Sequence, residues 1–442
     1  MAAIAQQLEA LLTPQQVIRG EQLEPTWIAK LQQAIAANAP QPCVVYPQAE
    51  AELVEVVRCA YKNGWRILPA GQASKLHWGG LATQVDVVVS TGRLNRLLHH
   101  AVGDLVFTAE AGLSFASLQT TLAATQQFLA IDPAYPAQAT LGGIVATADT
   151  GALRQRYNSV RDMLIGIHFV RHDGQTAKAG GQVVKNVAGY DLMKLLTGSY
   201  GSLALISQVT FRTYPLPESS ETVLVTGAPA AIAQLCRTLK TSVLTPVSLD
   251  VLSAELLSAL GHTAAAGLAV RFQTIQAGVV AQVDQLKALC QSLKLQLHLF
   301  TQTADGQFWS QIQAILWSDK EATANTVSCK LGIPPAKVAE FLAAIERFNR
   351  PGELQVMGRI HVGSGLGTLR LAGAIAAEPI TQLRSHCEAL GGFLTLLQAP
   401  LELKQQIDIW GYRGNALELM RQLKHQFDPH CLSSPGRFVG GI

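Results

Sequence analysis

The chain has 442 residues, of which 48% are hydrophobic and only 15% are charged, and its formal net charge is +3. A low charge fraction with an ordinary hydrophobic content favours a well-packed globular protein over a disordered one. The 34 basic and 31 acidic residues are nearly balanced and form no basic block, which argues against a nucleic-acid partner. The length predicts about three domains.

The chain contains no apolar stretch of the ~18 residues that a transmembrane helix needs. Its first residues lack the basic start and the cleavage site of a signal peptide. The seven cysteines are scattered and form no C-x-x-C pair: Cys43, Cys59, Cys236, Cys290, Cys329, Cys387 and Cys431. This spacing predicts reduced, mostly buried thiols in a cytoplasmic protein without a metal centre.

The first half of the chain shows alternating helix and strand signals. Residues 1–39 form a helical lead-in. Apolar periodicity then predicts helices at 48–62 and 114–127 and strands at 66–68, 85–89, 104–111, 164–170 and 203–213. The turn signal in Tyr214-Pro215-Leu216-Pro217 marks a boundary. We therefore predict three domains: 1–39, 40–217 and 218–442.

Strand and helix signals also alternate after residue 217. Strands are predicted at 223–225, 269–272, 295–300, 326–329 and 354–361, and helices at 228–239, 277–293, 335–348 and 377–390. This order predicts an antiparallel sheet with helices on one face, which is an α+β arrangement. We expect this region to cover a substrate or to contact another subunit.

A first glycine-containing loop follows the predicted strand at 66–68. It provides Gly71, Gln72, Ala73, Ser74 and Lys75 as candidate cofactor-binding residues. Consecutive backbone N–H groups in such a loop can bind phosphate oxygens, with Ser74 adding a hydroxyl and Lys75 a positive charge. An ordinary glycine-rich turn is the alternative interpretation. A Walker A loop is excluded, because the chain has no G-x-x-x-x-G-K-[ST] sequence.

A second candidate segment, 139–147, consists almost entirely of small residues. Its backbone can approach a flat ligand closely, and the candidate residues are Thr140, Gly142, Gly143, Ala146 and Thr147, with Gly151 beyond them. Tight packing between strands is the alternative explanation of this composition.

A third segment places a polar pair, Lys185-Asn186, inside an apolar run and continues through Gly201 to Leu205 and Ile206. These five residues complete the candidate cofactor site. Asp191 in the same segment also has a purely structural interpretation as a helix cap.

In combination, residues 42–217 resemble the FAD-binding domain of the vanillyl-alcohol oxidase/p-cresol methylhydroxylase (PCMH) flavoproteins. The matching motifs are the loop 69–75, Thr140-Leu141-Gly142-Gly143, the stretch 156–162, the strand 201–206 and the tail Ser434-Pro435-Gly436-Arg437-Phe438. The resemblance implies an α+β fold: a two-subdomain PCMH-type FAD-binding domain followed by a C-terminal antiparallel-sheet α+β (ferredoxin-like) domain.

The string VVKNVAGYDLMKLLTGSYG at 183–201 is similar to the FAD-binding E subunits of bacterial glycolate oxidases. This similarity implies a subunit that helps to oxidise glycolate, a small 2-hydroxy acid, to glyoxylate. The implied partners are a catalytic flavoprotein subunit and an iron–sulfur subunit, through which a cytoplasmic protein would associate peripherally with a membrane. The alternatives are a self-sufficient D-lactate-type dehydrogenase and a non-catalytic scaffold with a vestigial flavin fold.

The sequence departs from its relatives at several positions. Gln72 and Ala73 stand where relatives often have two glycines, and Ala204 replaces a glycine. No histidine adjoins the turn of the phosphate loop, so we predict noncovalent FAD. The relatives' substrate-site histidine has its nearest match in His361, but the accompanying Asp and Asn are absent. His361 is the one catalytic candidate, and a structural histidine at a strand end is the alternative.

Overall fold

The computed structural model describes residues 2–37, 39–183, 189–317, 325–350 and 352–442. Up to residue 216 the helices are α1 (Ala2–Leu11), α2 (Pro25–Gln32), α3 (Glu50–Asn63), α4 (Phe115–Ala123), α5 (Leu141–Thr147), α6 (Arg154–Tyr157), α7 (Val160–Met163) and α8 (Leu192–Leu196). The strands are β1 (Val17–Ile18), β2 (Cys43–Val45), β3 (Ile67–Ala70), β4 (Val87–Ser90), β5 (Leu97–Ala101), β6 (Val106–Glu110), β7 (Gln127–Phe128), β8 (Leu164–Val170), β9 (Thr176–Gly180), β10 (Leu205–Arg212) and β11 (Tyr214–Pro215).

From residue 217 the helices are α9 (Pro229–Thr241), α10 (Ala254–Ala259), α11 (Gln276–Ser292), α12 (Thr303–Leu316), α13 (Val338–Ile345), α14 (Ala377–Ala389), α15 (Leu401–Gln406) and α16 (Leu417–Phe427). The strands are β12 (Ser219–Gly227), β13 (Ser248–Ser253), β14 (Ala266–Thr274), β15 (Gln296–Thr301), β16 (Thr326–Gly332), β17 (Leu354–His361), β18 (Leu366–Gly373) and β19 (Phe393–Gln398).

The chain divides into two compact units that are discontinuous in sequence. The first unit contains the chain up to Thr150, Ser159–Leu216 and Tyr412–Ile442, and the second contains Gly151–Asn158 and Pro217–Gly411. The C-terminal segment groups with the first unit because it pairs with β3: the Ile67 N–H donates to Leu432 O at 2.7 Å and the Ser434 N–H to Ile67 O at 2.8 Å. The predicted division at residue 217 did not include the return of residues 412–442 to the first unit.

The first unit contains two larger sheets. One has the order β1-β2-β4-β3, in which β2, β3 and β4 are parallel and β1 is antiparallel. The other is antiparallel, with the order β5-β6-β10-β8-β9. The short strands β7 and β11 also pair. Helix α3 covers the parallel sheet with Leu53, Val56, Val57 and Ala60, as its apolar periodicity predicts.

The second unit is built on an eight-stranded antiparallel sheet with the order β15-β12-β14-β13-β17-β18-β16-β19. One face carries Val223 and Val225 and packs against α9, α11, α13 and α14 in an apolar core. The prediction of helices on one face is wrong. A Cβ on Gly267 would lie 2.8 Å from Leu257 of α10, and Thr222 donates to Asp305 of α12, so helices also cover the opposite face. The predicted antiparallel α+β fold is confirmed.

Candidate functional site

The three small-residue segments meet around one open cavity in the first unit. Candidate residues that line it are Gly71, Gln72, Ala73, Ser74, Lys75, Thr140, Gly142, Gly143, Ala146, Thr147, Gly201, Leu205 and Ile206. Gly151 is not among the lining residues and belongs to the second unit. Lys185 and Asn186 lie outside the described residues.

The first loop leaves β3 and lies directly against the second segment. The Ser90 hydroxyl donates to Gly71 O at 2.8 Å, which fixes the loop to the end of β4. A Cβ built on Gly71 would overlap the Thr140 hydroxyl and come within 3.1 Å of the Thr140 Cβ. Only glycine therefore permits this close approach between the two segments.

The two residues that depart from the family pattern behave differently in this loop. Gln72 is exposed, and its carbonyl accepts a hydrogen bond from Lys30 Nζ at 3.3 Å. Ala73 is buried and has a φ of +58°, in the left-handed region that favours glycine. The loop therefore keeps a glycine-type conformation at an alanine, with some backbone strain.

Lys75 is buried at the cavity wall and forms an ion pair. Its Nζ lies 2.6 Å from Asp149 Oδ2, which also accepts the Ala134 N–H at 2.8 Å. Burial lowers the pKa of Lys75, and Asp149 opposes that shift. Because the charge of Lys75 is compensated, the loop offers a phosphate mainly backbone N–H groups and the Ser74 hydroxyl.

The second segment forms the short helix α5. Thr140 precedes this helix, and its hydroxyl accepts the Gly143 N–H at 3.3 Å, while a Cβ on Gly142 would lie 2.8 Å from the Ala111 Cβ. The Thr147 hydroxyl donates to Gly143 O at 2.8 Å. The small residues thus allow α5 to pack closely against Ala111 at the end of β6. Both threonine hydroxyls form hydrogen bonds with the backbone of α5.

The third segment reaches the cavity through the turn before β10. Gly201 has a φ of +72°, and a Cβ there would lie 3.0 Å from Pro69 Cγ and 3.2 Å from the Ser434 hydroxyl. Ala204 is buried and lines the cavity beside Leu205 and Ile206. Backbone from three distant parts of the sequence therefore surrounds the same space.

The predicted site also lacked other lining residues, among them Thr91, Tyr200 and Arg437. Burial raises the pKa of Tyr200, and Asp149 adds to this effect. The tail motif at 434–438 was a signal for Arg437, but it did not reveal the role of the side chain. The buried guanidinium donates to four backbone carbonyls, those of Ala34, Leu76, Trp78 and Gly80.

Arg437 therefore ties the C-terminal tail to the chain that follows the first loop. Burial lowers the pKa of Arg437 to about 10. The carbonyl dipoles and hydrogen bonds around it favour the charged form. Like Lys75, Arg437 is a cation at the cavity wall whose charge already has protein partners.

The lining of the cavity suits an extended ligand such as a dinucleotide, because it comes from three separate segments. Three glycine-containing segments supply backbone along its wall. A mononucleotide would need only one phosphate-binding loop, whereas an extended ligand needs backbone contacts from several segments. When bound, FAD accepts a hydride from an organic substrate.

His361 lies in the second unit, at the end of β17. It is buried, and its Nδ1 lies 2.6 Å from Asp250 Oδ1 on β13. Arg359, two residues earlier, is also buried, and its Nε lies 3.8 Å from Asp250 Oδ2. Sequence reasoning missed Asp250 and Arg359, because no short motif links residues on neighbouring strands.

Comparisons with known proteins agree with this description. A family model described as "FAD binding domain" matches residues 41–180. The D-2-hydroxyglutarate dehydrogenase of Xanthomonas citri pv. viticola is 26% identical over 428 residues, which cover 89% of this chain and 88% of that protein. The glycolate oxidase subunit GlcE of Escherichia coli is 33% identical over 176 residues, which cover 40% of this chain and 49% of that protein. A crystal structure of p-cresol methylhydroxylase with bound substrate superposes with a TM-score of 0.76 at 13% identity, covering 99% of this chain and 96% of that one.

These similarities define the class of domain and fold: residues 41–180 match an FAD-binding domain, and the chain has the fold of p-cresol methylhydroxylase. FAD is the cofactor that this domain binds, which confirms the prediction of the cofactor. The noncovalent attachment and the individual binding residues stay predictions.

Three further observations concern the rest of the chain. Six of the seven cysteines are buried or half-buried, in agreement with the predicted burial, and Cys431 is exposed. In the part of the chain that the structure describes, no helix is both long and apolar enough to cross a bilayer. The described residues also contain no cluster of three or more His, Cys, Asp or Glu side chains arranged for a metal ion.

Proposed function

We propose that this protein is an FAD-dependent oxidoreductase acting on the CH–OH group of a small 2-hydroxy acid, and specifically the FAD-binding subunit of a glycolate-oxidising complex. The glycine-lined cavity is the observation that carries this proposal. The 33% identity to the glycolate oxidase subunit GlcE over 176 residues supports the choice of glycolate.

In this reaction, glycolate is oxidised to glyoxylate by losing a hydride from its C2 and a proton from its hydroxyl group. The first-unit residues that line the cavity, from Gly71 to Ile206, would hold FAD noncovalently through backbone N–H groups. The electrons would pass to an acceptor on partner chains, a catalytic flavoprotein subunit and an iron–sulfur subunit. A cytoplasmic location with peripheral membrane attachment through these partners is part of the proposal.

One observation favours a second candidate function. The similarity to D-2-hydroxyglutarate dehydrogenase covers 89% of this chain, whereas the similarity to the GlcE subunit covers 40%. A relative that matches both units supports a self-sufficient FAD-dependent 2-hydroxy-acid dehydrogenase of the D-lactate type. The two candidates share the cofactor and the substrate class and differ in whether partner chains are required.

The test is to express the chain alone and together with the other subunits of a glycolate oxidase. For each preparation, the absorbance between 350 and 500 nm is recorded and anaerobic flavin reduction by glycolate and by D-lactate is measured. We expect bound flavin in the single chain and glycolate-dependent dye reduction only in the assembled complex. Full activity of the single chain would contradict the subunit role and favour the dehydrogenase. A folded chain without flavin would leave only the scaffold interpretation.

A further inference from the structure

Lys75, at the end of the first loop, keeps unused hydrogen-bond donors at the wall of the cavity. Its side chain is 4% exposed, and Nζ lies 2.6 Å from Asp149 Oδ2. Nζ also lies 5.5 Å from the centroid of the Trp78 ring, which attracts a cation through its face. Apart from the ion pair with Asp149, Nζ has no hydrogen-bond partner among the described residues. Because an ammonium group carries three N–H donors, two donors of Lys75 are left without an acceptor.

A second buried lysine in the first unit uses all of its donors. Lys424 in α16 donates to Asp428 Oδ2 at 2.6 Å and to two backbone carbonyls, Ser433 O at 2.7 Å and Ser202 O at 2.8 Å. Its side chain is 5% exposed, so it is buried about as deeply as Lys75. Buried polar groups are nearly always hydrogen-bonded, so the spare donors of Lys75 indicate an acceptor that a ligand in the cavity supplies.

Asp149 is the counter-ion of Lys75 and lies outside the residues that the glycine motifs indicate. It follows α5 in sequence, and its Oδ2 also accepts the N–H of Ala134, which precedes α5, at 2.8 Å. Asp149 is buried and is not among the residues that line the cavity, whereas Lys75 is. A ligand in the cavity would therefore meet the Lys75 ammonium group and not the carboxylate behind it.

Burial and Asp149 act on the charge of Lys75 in opposite directions. Burial lowers the pKa of Lys75, because the charged form loses its hydration, and the Asp149 carboxylate raises this pKa. Removal of the carboxylate would therefore favour the neutral amine at a lower pH. The charge matters for binding, because hydrogen bonds from a cation to anionic oxygens are about twice as strong as neutral ones.

The other titratable groups near this wall keep their protonation state between about pH 7.5 and 9. Tyr200 and Arg437 line the same cavity, from the turn before β10 and from the tail. Burial raises the pKa of Tyr200, which stays neutral, and Arg437, with a pKa of about 10, stays charged. The His77 ring lies 3.3 Å from the Tyr135 hydroxyl, and an ordinary histidine, with a pKa of about 6.5, has lost its proton in this range. A change of affinity in this window would therefore report on Lys75.

We propose that Asp149 is a positioning residue for the cofactor. It holds Lys75 as an ammonium ion at the cavity wall, and Lys75 donates its two remaining N–H groups to acceptor oxygens of FAD. The proposal rests on the part of the proposed function that places FAD in this cavity, and it is independent of the substrate.

The test measures the dissociation constant of FAD between about pH 7.5 and 9, by equilibrium dialysis of the full-length flavoprotein and fluorescence of the free FAD. In the wild-type protein the constant should not change, because Asp149 keeps Lys75 charged. Asp149→Asn removes the charge and keeps an acceptor for the Ala134 N–H. In this variant the constant should rise by up to about tenfold per pH unit, because FAD binding then requires Lys75 to take up one proton.

Two further variants keep the result interpretable. Lys75→Met combined with Asp149→Asn removes the titrating group, so FAD should bind about tenfold or more weakly than in the wild-type protein at every pH. This double variant contains no unpaired buried charge and decides the question if Asp149→Asn alone does not fold. Asp428→Asn removes the counter-ion of Lys424 and should lower the melting temperature without making the dissociation constant depend on pH.

A loss of affinity in Asp149→Asn that is equal at every pH would give Asp149 a structural role only and overturn the proposal. Wild-type affinity in the double variant, or a pH-dependent constant in Asp428→Asn, would overturn it as well. A wild-type chain that binds no FAD would contradict this proposal and the assignment of the cavity together. A chain that shows the expected pH profiles but does not oxidise glycolate would contradict the proposed substrate and leave the role of Asp149 intact.

Discussion

The two units differ in where their polar groups lie. The cavity of the first unit is lined mainly by backbone and small side chains, and its cations, Lys75 and Arg437, already have protein partners. The polar sheet face of the second unit instead carries the buried charged side chains of Asp250, Arg359 and Asp305. The first region should therefore be sensitive to added volume, and the second to changes of charge at constant volume.

The largest expected effect is the loss of flavin when volume is added at Gly71. In Gly71→Val, the new Cβ would overlap Thr140, whose hydroxyl caps α5, so the wall of the cavity must move. Overpacking of this kind typically costs about 1–3 kcal/mol, and a β-branched side chain adds further bulk. We expect the protein to stay folded but to be purified without flavin, as measured by absorbance at 450 nm per chain.

Gly103→Val is the matched control for this experiment. A Cβ on Gly103 meets no atom within 4 Å, so the added side chain has open space. This variant should retain the flavin content of the wild-type protein. Equal flavin content in both variants would mean that the first loop is an ordinary turn and does not form part of the cofactor site.

In the second unit, loss of the ion pair between Arg271 and Asp305 should affect stability and leave the flavin in place. Asp305→Ala removes the acceptor of Arg271, Ser220 and Thr222 and leaves a largely buried arginine unpaired. Breaking a buried pair in this way costs about 3–5 kcal/mol. Urea denaturation should show this loss, whereas a variant as stable as the wild-type protein would indicate that the network is dispensable.

Alkaline pH should destabilise the second unit more than the first. Burial raises the pKa of Cys329 from 9.0 to about 12. The pKa values of Cys236, Cys290 and Cys387 in the second unit are raised to about 12 as well. In the first unit, burial raises the pKa of Cys43 to about 11 and also raises that of the half-buried Cys59. Above pH 9 the unfolded state loses these protons while the folded state keeps them, so stability falls as the pH rises.

Each such thiol contributes a slope of about 1.4 kcal/mol per pH unit within this window. Cys329→Ala should therefore reduce the loss of stability between pH 9 and 10 by roughly that amount. Cys431→Ala is the control, because its side chain is exposed in the folded protein and its removal should leave the slope unchanged. The same slope in all three proteins would contradict the assignment of the effect to buried thiols.

The smallest expected effect is a gain at Ala73. Its φ of +58° is a conformation that costs a non-glycine residue about 1–2 kcal/mol, while the added chain entropy of glycine offsets about 0.5–1 kcal/mol. Ala73→Gly should therefore raise the melting temperature slightly and keep the flavin. Ala70→Gly, at the end of β3, has no such strain to relieve and should lower the melting temperature.

The contrast between the units also explains what the sequence could predict. The cavity of the first unit depends on short runs of small residues, and such runs are visible as motifs, so Gly71, Gly142 and Gly201 could be identified in advance. Tyr200 was missed, because an aromatic residue beside a glycine turn carries no specific signal. Arg437 was part of a recognised tail, but its bonds to four distant carbonyls depend on the tertiary structure.

In the second unit the polar cluster could not be predicted. Asp250 and His361 are 111 residues apart in sequence and become neighbours only through the pairing of β13 with β17. The strand β13 itself was not predicted, and without it no partner for His361 could be identified. The helices α10 and α12 on the polar face of the sheet were missed for a different reason. Strands that alternate polar and apolar residues are typical of a sheet with one face exposed to solvent.

The central claim is that the glycine-lined cavity holds FAD without a covalent bond, and acid precipitation of the purified chain tests it most directly. After precipitation, the supernatant is analysed by chromatography against FAD and FMN standards. We predict that the yellow chromophore is released and co-elutes with FAD, at about one equivalent per chain in the wild-type protein and none in Gly71→Val. Release of FMN, colour that stays with the pellet, or FAD in Gly71→Val at the wild-type ratio would contradict the account.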